Sequence, residues 1–110
     1  MLKVIRGDTN NFKFSRKDNE GNVITEMASK IFFTVKNSYN SSNIEIQKTI
    51  EDMDFNEGVY TFVIDGNDTD EMSYGTYKYD LEVVEDDYKQ TISIGDFVVM
   101  EEVTFTSDEE

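Results

Sequence analysis

The 110-residue chain predicts an all-β fold, a single antiparallel β-sandwich of seven to eight strands with one short helical turn, on three observations. Its apolar residues are strand formers: ten Val, nine Ile, eight Phe and six Tyr, with ten Thr beside them, against two Leu and one Ala. A helical bundle built from these residues would lose χ1 freedom at nearly every turn, which excludes an all-α fold. Several segments alternate apolar and polar residues with a period of two. Between them fall clusters of Asn, Asp, Gly and Ser at intervals of about 8–12 residues, the spacing of sandwich turns.

Taken in order, residues 3–6 and 11–15 are two short strands, the second carrying Phe12 and Phe14 at spacing two, with a bend or change of sheet between them. Ile31, Phe33 and Val35 alternate with Phe32, Thr34 and Lys36; Ile44 and Ile46 alternate with Glu45 and Gln47; Tyr60, Phe62 and Ile64 alternate with Thr61 and Val63. The clearest strand runs through Tyr77, Tyr79, Leu81 and Val83, with Lys78, Asp80 and Glu82 on its other face. Glu85-Asp86-Asp87 closes a hairpin into a partner that places Ile92 and Ile94 on one face. Beyond Gly95, which reads as a bulge or kink, Phe97 to Met100 are apolar on both faces and expected to be covered on both sides.

The helical turn is expected at Asp68-Thr69-Asp70-Glu71-Met72, capped by Asp68 or Thr69, with Met72 plugging the open end of the sandwich. A turn of this kind crossing between sheets ahead of a tyrosine-bearing strand is common in immunoglobulin-like topology, where Tyr77 or Tyr79 could supply a tyrosine-corner hydrogen bond. Residues 1–105 are therefore read as one immunoglobulin-like β-sandwich and residues 106–110 as an acidic, solvated tail.

Twenty-four carboxylates against ten cationic side chains give a formal charge of -14, which repels nucleic acid and anionic membranes. With no Cys and no His, disulfides, thiolate chemistry, the usual zinc sites and the commonest proton shuttle are all excluded. No nucleophile–base motif is present, so the expectation is a protein that is not an enzyme and uses no cofactor. Residues 1–8 hold no signal-peptide core, and no apolar run approaches the ~20 residues of a membrane span, so cytoplasmic synthesis is expected.

Three constellations invite chemistry. Arg6-Gly7-Asp8 spells an integrin-binding tripeptide, but Gly beside Asp is also what a chain bend requires. Asp65-Gly66-Asn67-Asp68-Thr69-Asp70 fails as an EF-hand loop, because Asp70 stands where Gly is needed and Thr76 where a bidentate Glu is needed; an irregular calcium site of Asp65, Asp68 and Asp70 is what remains. Tyr39, Phe55, Tyr74, Tyr88 and Phe105 fall in turns or at strand ends, where an aromatic is either a lid on the core or a contact for a partner; the first four are the interface candidates.

The C-terminal half, Gly75-Thr76-Tyr77-Lys78-Tyr79-Asp80-Leu81-Glu82-Val83, then Thr91-Ile92, Gly95-Asp96-Phe97-Val98-Val99 and Val103-Thr104, resembles small immunoglobulin-like virion proteins of tailed phages and prophages of Gram-positive bacteria. Arg6-Gly7-Asp8-Thr9, Phe12, Phe14 and Asp18 through Gly21 look like the opening of that family and of the N-terminal immunoglobulin-like region of baseplate upper proteins. The resemblance implies a virion location and a non-catalytic role in a head, neck, tail or baseplate, with other virion proteins and further copies of itself as partners. Baseplate upper proteins continue past this region, so their receptor-platform role is not carried over. Two alternatives use the same residues: an acidic DNA-mimic inhibitor, with Asp80, Glu82 and residues 85–87 as its carboxylate rows, or a carbohydrate-binding module presenting Tyr39, Tyr74 and Tyr88.

Overall fold

The computed structural model describes residues 1–85 and 88–101, with the backbone alone at Tyr88; the tail expected at 106–110, Phe105 and the Tyr88 side chain lie outside the described residues. Eight strands run in the order β1 (Leu2–Ile5), β2 (Asn10–Ser15), β3 (Lys30–Lys36), β4 (Ile44–Thr49), β5 (Asp54–Asn56), β6 (Val59–Ile64), β7 (Gly75–Glu85) and β8 (Tyr88–Met100). A single helical turn, α1 (Gly66–Thr69), joins β6 to β7, and a 3-10 turn at Ile50–Asp52 joins β4 to β5. Among the described residues no helix is long and apolar enough to cross a membrane.

The strands form two sheets, one of five in the order β1-β8-β7-β3-β4 and one of three in the order β2-β6-β5. One pairing departs from the expected antiparallel arrangement. β1 runs parallel to β8, Leu2 opposite Phe97 and Ile5 opposite Met100, so the larger sheet is mixed. The reason lies in the connection. Instead of returning along its own sheet, β1 turns through Ile5 to Asp8, where the Asp8 N–H meets the Ile5 carbonyl at 3.0 Å, and the chain enters the other sheet as β2. No hairpin then forces β1 to oppose its neighbour.

β7 is built as its alternation predicts: Tyr77, Tyr79, Leu81 and Val83 are all buried, with Lys78, Asp80 and Glu82 between them on the outer face. The partner strand corrects two expectations. Leu81 pairs with Ser93 but Glu82 pairs with Thr91, so the extra residue is Ile92 and the bulge falls three positions before Gly95. Gly95 instead faces the Tyr79 ring, where a Cβ would stand 3.3 Å from Cε1. Its missing side chain is the seat of that ring. Ile94 consequently points outward and is 60 % exposed, while Ser93 turns inward to the Tyr79 hydroxyl at 3.0 Å. Phe97 and Val99 are buried, but Val98 and Met100 are only half covered, so the end of β8 is buried on one face rather than both.

The two sheets meet through aromatic side chains. Phe33 of the five-stranded sheet lies 4.8 Å from Phe62 of the other, and within the three-stranded sheet Tyr60 is stacked by its cross-strand neighbour Phe14 at 4.9 Å and met by Phe55 at 4.6 Å. Such pairs are worth about 0.5–1.5 kcal/mol each beyond the area they bury. The fully buried Tyr60 keeps its hydroxyl satisfied by accepting the Ala28 N–H at 3.0 Å.

Candidate interaction surfaces

The first surface is the end of the molecule where the β1–β2 turn meets α1. Asp65 caps the helical turn, its carboxylate accepting the Asn67 and Asp68 N–H groups at 3.0 and 3.2 Å, while the Asp68 carboxylate reaches back to the Asp65 N–H at 2.9 Å. The turn therefore begins ahead of the expected Asp68, because the reciprocal pair is Asp65 with Asp68. Gly66 packs on the neighbouring turn so closely that a Cβ there would stand 2.5 Å from the Gly7 carbonyl oxygen. Beside it the Gly7 N–H donates to the fully buried Thr69 hydroxyl at 3.0 Å. Met72 is buried, as a plug for this end should be.

Arg6 donates to the Met72 carbonyl at 3.3 Å and lies 4.3 Å from the centre of the Tyr74 ring. Arg6-Gly7-Asp8 is thus a bend held by its own Arg and Gly, and not a projecting recognition loop. Tyr77 donates its hydroxyl to the Ser73 carbonyl at 2.8 Å. Burial and the Glu45 carboxylate hold that hydroxyl above the ordinary tyrosine range, which keeps it a donor.

The second surface is the outer face of the larger sheet. Tyr39 lies across it, 47 % exposed, donating to the Gly95 carbonyl at 3.2 Å with the Lys78 ammonium 5.8 Å from its ring centre. Lys78 pairs with Asp96, and that hydrogen bond raises its pKa. Burial, and then the Glu82 carboxylate, push Asp80 upward, while Lys36 and Lys89 pull it back. Lysines are interleaved with the carboxylates here, so the face is mixed in sign.

The third surface is the side where β2 faces β8. β1 covers only Phe97 to Met100, so residues 90–96 of β8 have no strand partner on that side among the described residues, and β2 pairs only with β6. Between these two edges opens an apolar slot of about 120 Å³, lined by Phe12, Phe14, Phe33, Tyr79, Leu81 and Ser93. Phe12 and Phe14 point inward yet are only half buried, since among the described residues no strand continues the sheet over them. Lys13 stands at its rim and is exposed.

The interface candidates are dispersed. Tyr39 is on the outer sheet face, Tyr74 sits at the α1 end under Arg6 with 47 % exposure, and Phe55 is turned inward against Tyr60. The Tyr88 side chain lies outside the described residues. Asp65 and Asp68 are committed to capping and, through Asp68, to Lys48 at 2.9 Å. Among the described residues no group of three His, Cys, Asp or Glu side chains is arranged to hold an ion, and Asp70 does not join the other two. The reading by alternation missed the slot, since a slot depends on where neighbouring strands stop. Comparison with protein-family models gives no match, and comparison with curated proteins gives none.

Proposed function

We propose that the chain is a non-catalytic part of a tailed-phage or phage-tail-like particle, working through protein–protein contacts on an immunoglobulin-like β-sandwich. The strand order supports the fold: β2-β6-β5 corresponds to strands B, E and D of one sheet of that topology and β3-β7-β8 to strands C, F and G of the other, with β4 and β1 added at the edges of the latter. The observation that carries the reading is the Tyr77 hydroxyl on the Ser73 carbonyl. It comes directly after the α1 crossing between sheets, where an immunoglobulin-like tyrosine corner belongs. A self-contained module with strand edges left open has the properties of an assembly part, because an edge is completed by another chain's backbone.

The two alternatives find less support. A DNA mimic needs uninterrupted carboxylate rows, whereas Asp96 is paired by Lys78, and Glu82 has Lys89 at 3.7 Å. A sugar platform needs coplanar free aromatics, whereas the Tyr74 ring is met by Arg6 and the Tyr39 hydroxyl is bonded to Gly95. Mass spectrometry of purified particles from the producing strain is the test. The chain is expected at stoichiometric abundance; its absence from mature particles, with abundance in the cytosol, would overturn the proposal in favour of the acidic inhibitor.

A further inference from the structure

We infer that the apolar slot between β2 and β8 receives residues 102–106 of a second copy of this chain as an added strand, giving a head-to-tail contact. The inference rests on the assembly role proposed above and names the surface and the partner. Three independent observations carry it. First, the slot is flanked by two backbone edges without strand partners among the described residues, so an extended segment would find hydrogen-bonding groups on its edges and an apolar floor beneath. A volume of about 120 Å³ is close to the ~150 Å³ cavity that takes up benzene, enough for one aromatic side chain.

Second, Glu102-Val103-Thr104-Phe105-Thr106 has the required pattern, with Val103 and Phe105 on one face and polar residues on the other. Third, the charges match. Residues 1–17, which contain β1 and β2, carry Lys3, Arg6, Lys13, Arg16 and Lys17 against Asp8 alone, in a chain of net charge -14. Residues 101–110 carry five carboxylates and no cation. Arg6 and Arg16 are occupied within the fold, but Lys3, Lys13 and Lys17 are exposed and make no ion pair among the described residues. An acidic segment is therefore drawn to the strand that carries Lys13 at the rim of the slot.

Reach decides that the segment comes from another copy. Phe105 is five residues past Met100, so its backbone extends at most about 17 Å from there. Ser93, in the slot wall, is seven residues back along β8, about 23 Å away. The edge beside Phe97 to Met100 is already taken by β1, so the chain would also have to reverse outside that strand. The near end of the slot, at Leu2 opposite Phe97, is within that reach, but residues 102–106 cannot lie as a strand along residues 90–96 of their own chain, whereas those of a second copy can. Because donor and acceptor surfaces differ, the contact closes a dimer only by reciprocal exchange and otherwise builds rings or filaments.

The test uses the intact protein and a fluorescent synthetic peptide of residues 101–110. Saturable binding is expected, with amide shifts confined to β2 and residues 90–96 of β8. Replacing Phe105 by Ser in the peptide is expected to weaken binding by about tenfold or more, the equivalent of one buried aromatic. Lys13→Glu in the protein should weaken it without moving the thermal midpoint, and the wild-type effect of Lys13 should shrink in high salt. Absence of saturable binding, shifts centred elsewhere, or indifference to Phe105 each overturn the inference. Particle mass spectrometry reads the assembly role separately: a chain present in particles whose peptide does not bind removes this contact alone, and binding by a chain absent from particles removes the virion role alone.

Discussion

The α1 end and the β2–β8 side are both places where regular structure stops, and the chain treats them differently. At the α1 end, backbone groups left over from β1, α1 and the approach to β7 find side-chain partners inside the molecule: Asp65, Asp68, Thr69, Arg6 and Tyr77 supply them. On the β2–β8 side, two strand edges and the half-buried Phe12 and Phe14 have no such partners among the described residues. The difference follows from geometry. A turn presents a few backbone groups that one carboxylate or hydroxyl can reach, whereas an edge presents a row that only another strand matches. A closed end needs particular residues; a strand edge is matched only by a row of backbone groups.

The largest expected effect breaks the floor of the open side. Leu81 is buried between Tyr79 and Val83 and lines the slot, so Leu81→Asp buries an unpaired charge at a cost of several kcal/mol, against a total stability of about 5–15. Folding should be lost, while Glu82→Lys on the outer face should leave the thermal midpoint nearly unchanged. Equal midpoints for the two variants would overturn the assigned faces.

Changes of similar size at the two regions should then separate them. Gly66→Ala forces a Cβ against the Gly7 carbonyl, and Thr69→Val leaves the Gly7 N–H without its acceptor; each is expected to cost about 1–3 kcal/mol in urea unfolding. Lys13→Glu, on the open side, should stay within about 0.5 kcal/mol. If Lys13→Glu destabilised as much as Thr69→Val, the open side would be part of the fold's own support. Asp65→Ala, which removes the cap alone, is expected to cost about 1 kcal/mol, and Asp65→Asn only a few tenths, since Asn caps nearly as well.

What the sequence made legible follows the same division. The inward face of β7, the mostly β composition of the fold, the change of sheet after Arg6, the buried Met72 and the tyrosine hydrogen bond were all readable, because each depends on local alternation or on one turn. The bulge was misplaced because a single inserted residue leaves the period of its strand unchanged on either side; only the pairing with β7 reveals Ile92 as the extra one. Parallel pairing of β1 was hidden because its partner lies at the other end of the chain. Phe55, in turn-rich surroundings, was legible only as either a lid or a contact; three residues of β5 turn it onto Tyr60, which makes it a lid. The calcium reading of Asp65, Asp68 and Asp70 counted carboxylates without knowing that two were engaged with backbone.

The carboxylates themselves give the smallest and most specific contrast. Those of Asp65 and Asp68 accept backbone N–H groups at the closed end, whereas Asp80 sits half buried on the outer sheet face, its pKa raised by burial first and by Glu82 second. A carboxyl whose pKa is higher in the folded than in the unfolded chain binds its proton more tightly when folded. Its contribution is therefore most favourable below the unfolded-state value of about 3.9, and is lost as pH rises from there through the folded-state value. Asp80→Asn removes the charge without changing the shape. The variant should melt higher than the wild type near pH 7, by an amount that shrinks toward zero as pH falls below the ordinary carboxylate range. Salt should leave much of the gain in place, because burial, unlike the pull of Lys36, Lys89 and Glu82, is not screened. Thermal melts of both proteins from pH 3 to pH 8, in low and high salt, measure it; a gain that grew as pH fell would show that Asp80 stabilises the sheet as a carboxylate, and would place it with the carboxylates of the closed end.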